Sequence, residues 1–174
     1  MKKNPDKSTF AKAPADKLRH SGDVVLGMHD ALVEFTGMIA GLIFTVANTG
    51  LIILTAIIAS ISASLSMGTA NYQAEKELNN PNPIAAGLWC GGAYFITVVL
   101  LLLPFAFFTN RYLLITAVMA VAISVIFVFN WYVSRAKGQG VMKPFITMTI
   151  IAVTVAAIAF IIGQTAKAFL GVNI

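Results

Sequence analysis

The chain has 174 residues, of which 58% are hydrophobic and only 11% charged, and its mean hydropathy is +0.83. That composition excludes an ordinary soluble domain, and the single cysteine, Cys90, excludes intrachain disulfides and cysteine-cluster metal sites. The net charge of +5 does not point to nucleic acid, because six of the twelve basic residues crowd into the segment ending at Arg19.

That basic segment, residues 1–21, reads as a retained cytoplasmic tail. A cleavable signal would place its apolar core directly after a short basic start, whereas here the apolar run begins near Val24 and lasts a full span. Residues 22–174 are expected to form one all-α transmembrane domain of five helices, with spans at about 24–47, 51–72, 84–108, 112–133 and 145–169, because each crossing needs roughly 20 apolar residues. The first span ends in Asn48-Thr49-Gly50, the composition of a tight turn. The second, rich in Ala and Ser, is expected to stay helical as far as Glu77. Asn79-Asn80-Pro81-Asn82-Pro83 then breaks it, since two prolines remove backbone donors and push the residues before them out of helical geometry. Pro104 predicts a kink in the third span, Thr109-Asn110-Arg111 a second short turn, and residues 134–144 a polar basic loop before the fifth.

Under these spans ten of the twelve basic residues fall on the side of the tail, leaving only Arg111 and Lys167 opposite, which predicts a cytoplasmic amino terminus and a carboxyl terminus across the membrane. Trp89, Trp131 and Tyr132 then sit at the inner boundary, where amphipathic rings are favoured.

Asp30 and Glu34 lie within the first span, where a charged side chain costs at least ~2.5 kcal/mol on insertion scales. Their i, i+4 spacing sets both on one helix face, roughly 10 and 15 Å from the inner boundary. No lysine or arginine falls within a span core to neutralise them, so a cation or protons must, unless one acid is protonated and hydrogen-bonded between helices. On the second span Met67, Asn71 and Glu75 follow at i, i+4, i+8, offering a thioether, an amide and a carboxylate along one face. A thioether with carboxylates suits a first-row ion such as Fe²⁺ better than Mg²⁺ or Ca²⁺. The candidate metal ligands are therefore Asp30, Glu34, Met67, Asn71 and Glu75. Gly37 and Gly41 form a GxxxG, which fits packing within the chain or contact with a second subunit. His20 is assigned to the tail, and Asn130 and Gln164 are expected to hydrogen-bond between helices.

The stretch from His29 through Ala40-Gly41, together with Ala63-Ser64-Leu65-Ser66-Met67-Gly68 and Asn71-Tyr72, resembles the first two helices of the vacuolar iron transporter family of five-helix divalent-metal/proton antiporters. Leu103-Pro104-Phe105 and Ile162-Gly163 are similar as well. The resemblance implies a homodimer with its translocation path near the two first helices, Asp30 as the embedded metal carboxylate and Met67 as the thioether ligand. Three features depart from the family pattern: Ala31 follows the aspartate where the family has glycine, Asn71 stands where a carboxylate is frequent, and the connection from Tyr72 to Pro83 lacks the long glutamate-rich insertion of the iron-collecting members.

The sequence thus reads as a non-enzymatic secondary transporter without a resident cofactor. Its cargo is a divalent metal, Fe²⁺ or Mn²⁺, exported in exchange for protons, and its partners are membrane lipid and a second copy rather than nucleic acid. Two alternatives stand beside it: a non-transporting membrane scaffold with the same fold, and a proton-coupled transporter of another cation.

Overall fold

The computed structural model describes residues 20–46, 48–138 and 140–170, so the expected tail lies almost wholly outside the described residues. Five helices long and apolar enough to cross a membrane follow one another: α1 (Ser21–Thr45), α2 (Thr49–Glu77), α3 (Pro83–Leu102), α4 (Arg111–Lys137) and α5 (Met142–Leu170). There is no strand among the described residues.

Asparagine sets three of the starts. Asn48, Asn82 and Asn110 each turn a side-chain carbonyl onto backbone N–H groups of the first turn of α2, α3 and α4, satisfying donors that would otherwise lie unpaired at a membrane boundary. Helix α2 stops where Asn79 adopts a positive φ of 55°, a conformation asparagine tolerates better than most residues, and α4 stops at Gly138 with φ 63°. Pro104 differs from expectation. Instead of kinking a continuous span, it closes α3: the helix ends at Leu102 and tightens into a 3-10 turn, Leu103–Ala106, because a proline nitrogen cannot donate to the preceding turn. The N–H groups of Phe107 and Phe108 both bond back to the Pro104 carbonyl.

Helix α1 is the centre of the bundle, touching all four other helices, with α3 and α5 as its broadest neighbours; α2 and α3 form the other close pair. Glycines make these approaches possible. A Cβ at Gly27 would stand 2.0 Å from the Cys90 carbonyl oxygen on α3, and at Gly87 it would stand 2.5 Å from the Gly68 carbonyl on α2. Without a hydrophobic drive between helices in lipid, such backbone approach supplies the dispersion contacts that hold the spans together. Gly37 and Gly41 face Val155 and Ala159 of α5, with Gly163 one turn on, so the GxxxG stripe is used inside the protomer and is not a free face for a second copy. Between these glycine contacts the core is filled by Leu32, Phe35, Ile39, Tyr94, Val98 and Ile126, all nearly inaccessible. Asn130 ties α4 to α5 as expected, donating to Met148 Sδ at 3.0 Å as well as to the Ile126 carbonyl of its own helix.

Candidate metal centre

One stripe of α1 carries Asp23, Gly27, Asp30, Glu34, Gly37 and Gly41, residues that all recur within about 40° of the Asp23 direction at 100° per residue. Its lower half faces α2 and α3 and its upper half faces α5. Asp30 and Glu34 sit at the changeover, where neither neighbour covers the stripe: Asp30 is half-buried and Glu34 exposed, whereas Ala31 and Phe35 on the adjoining face are fully buried. Glu34 is held from α3, where the Tyr94 hydroxyl donates to its carboxylate at 2.9 Å, although Tyr94 itself is only 1% exposed. Asp30 lies within electrostatic reach of Glu34 and His29. Nothing in the sequence singled out Tyr94, because which helix meets Glu34 is decided by tertiary packing alone.

A third carboxylate, which the sequence alone did not single out, anchors the lower end of this stripe. Asp23 is buried at 8% exposure, accepts from Asn71 Nδ2 at 2.8 Å and lies 3.0 Å from His20 Nδ1; the same Asn71 amide also donates to the Ala86 carbonyl at 3.0 Å. His20 therefore belongs to the bundle rather than to the tail, and its ring stacks on Trp89 with centroids 6.2 Å apart. The seven-residue spacing of Asp23 and Asp30, two helical turns on one face, was the available signal.

The Asp23–Asn71 contact also sets the register of α1 against the antiparallel α2. Met67 is one turn, roughly 6 Å, above Asn71, and Asp30 is two turns, roughly 10 Å, above Asp23, so Met67 lies about one turn below the level of Asp30 and packs against the core. Glu75 lies in the opposite direction and accepts from Asn80 Nδ2 at 2.6 Å, bracing the break between α2 and α3. The five expected ligands thus divide into an upper group, Asp30, Glu34 and Met67, and a lower one in which Asn71 and Glu75 are already engaged in structural hydrogen bonds. Among the described residues no three His, Cys, Asp or Glu side chains are arranged to hold a metal ion.

A family model described as the VIT family matches residues 73–164, just over half of the chain. The chain belongs to the VIT family. No curated protein gives a significant match. The VIT family consists of membrane transporters of metal ions, which fits five apolar helices carrying embedded acids. The matched segment runs from the end of α2 into α5; Asp23, Asp30, Glu34, Met67 and Asn71 precede it, so their place in this VIT protein rests on the geometry above.

Proposed function

We propose that the protein is a divalent metal/proton antiporter that carries Fe²⁺ or Mn²⁺ out of the cytoplasm, with Asp30 and Glu34 as the exchanging carboxylates and Met67 as a softer ligand below them. The observation that carries this reading is the position of Asp30 and Glu34 on the uncovered stretch of α1, in a helix without lysine or arginine, where Tyr94 supplies a hydroxyl rather than a charge. Metal and protons compete for the same carboxylate oxygens, so loading one site alternately with each couples the two fluxes. The ten basic residues that fall toward the proposed cytoplasmic end support the inward amino terminus. Two first helices meeting in a homodimer would bring two such carboxylate pairs to one path and supply ligands that a single protomer lacks.

Reconstituted into proteoliposomes, the protein should show Fe²⁺- or Mn²⁺-dependent proton flux, and Asp30→Asn should reduce it at least tenfold. Unchanged flux in that variant removes Asp30 from the mechanism.

The lack of a three-ligand cluster among the described residues favours a second reading, a membrane scaffold that keeps the family fold without transport. Titration calorimetry separates the two: a scaffold shows no saturable Fe²⁺ or Mn²⁺ heat and tolerates Asp30→Asn together with Glu34→Gln.

A further inference from the structure

Between α1, α3 and α4, at the end of the bundle that carries His20, an open groove of about 750 Å³ runs along the protein surface. Met28, Ala93, Val125 and Phe129 are among its apolar walls. Below the rim, the hydroxyls of Thr97 and Ser124 are already spent on the Ala93 and Ala120 carbonyls, so the floor of the groove offers a ligand almost no polar partner. An extended peptide would bring backbone groups that could not be satisfied there, whereas hydrocarbon brings none. From Trp89 to Leu100 the groove covers twelve residues of α3, a rise of roughly 16 Å, about half of a ~30 Å hydrocarbon core and hence the depth of one leaflet.

The mouth differs from the floor. Trp89, Trp131 and Tyr132 rim it, all about half exposed or more, as aromatic rings do at the level of lipid head groups. Arg135 follows Trp131 by four residues and Val128 by seven, which extends the groove-lining face of α4 by one turn and ends it in an exposed guanidinium. Lys143, in the first turn of α5, lies at the same end of the bundle.

We propose that this groove binds one anionic phospholipid of the adjoining leaflet, an acyl chain lying between α3 and α4 and the phosphate paired with Arg135. The shape supplies the chain site and the guanidinium supplies the preference for negative charge, since a basic residue at the membrane surface favours an anionic lipid by about 1 kcal/mol, or about fivefold. The proposal does not depend on whether the protein moves metal.

Native mass spectrometry of the full-length protein, released from mild detergent with added phosphatidylglycerol or phosphatidylcholine, tests it directly. We expect phosphatidylglycerol to be retained about fivefold better, and Arg135→Gln to abolish that preference while leaving phosphatidylcholine binding unchanged. Gly92→Leu should reduce retention of both lipids several-fold; a Cβ at Gly92 meets nothing within 4 Å, so the substitution fills the groove without disturbing the helix contacts. Ser124→Leu, on an exposed position of the opposite wall, should act alike. Equal retention of the two lipids by the unaltered protein, or undiminished retention in both filled variants, overturns the site. Spontaneous disulfide dimers of Tyr132→Cys in membranes would also overturn it, by making a second copy the occupant.

Discussion

Asn71 illustrates how a departure from a family pattern can follow from its neighbour. With the buried Asp23 carboxylate 2.8 Å away, an acid at this position would set two negative charges together, whereas the amide donates to Asp23 and to the Ala86 carbonyl at once. Replacing it with leucine should therefore lower stability by about 1–3 kcal/mol, the range for stranding a buried acceptor, and Asn71→Asp should cost more. Thermal unfolding in detergent checks the order: unaltered protein above Asn71→Leu above Asn71→Asp. Glu34 stands in the opposite situation, exposed and held by one hydroxyl, which leaves its second oxygen open to an ion.

At the scale of elements, the glycine crossings decide how near the helices come. Gly27→Ala drives a methyl group into the Cys90 carbonyl at 2.0 Å and must separate α1 from α3, so its loss should fall at the upper end of the ~1–3 kcal/mol typical of overpacking. Gly92→Ala, with nothing within 4 Å, should stay within about 0.5 kcal/mol, and unfolding by sodium dodecyl sulfate in mixed micelles distinguishes the two. The five helices were legible beforehand because the bilayer sets their length, and the double-proline break before α3 because proline cannot donate. Their ends were less so: Asn48 and Asn110 were read as turn residues, although an asparagine just ahead of an apolar run also signals an N-cap, and Pro104 was read as a kink where it terminates. Of the site, Asp30 and Glu34 stood out as acids in an apolar run. Tyr94, the partner of Glu34, and Asn71, the distant partner of Asp23, come from helices 60 and 48 residues away along the chain, and no local pattern announces such pairs.

At the scale of the whole molecule, orientation decides the direction of transport. Cys90 is buried, so single cysteines can be placed against a silent background. An impermeant maleimide applied to intact cells should label Thr109→Cys, in the turn before α4, and should reach Ser8→Cys only after lysis; the reverse pattern would invert the proposed export. The union of α1 with α5 carries a further consequence for how the protein is made. The first span emerges early, yet the glycines at 37 and 41 are covered by the last, which includes Ala159 and Gly163. At ~5–20 residues per second a ribosome needs on the order of ten seconds to deliver that cover. Throughout that interval the nascent chain presents an adhesive small-residue surface to whatever other helices are near, so a chaperone or insertase that shields α1 should raise the yield of correctly assembled protein, and a product truncated before Met142 should be the form that clusters.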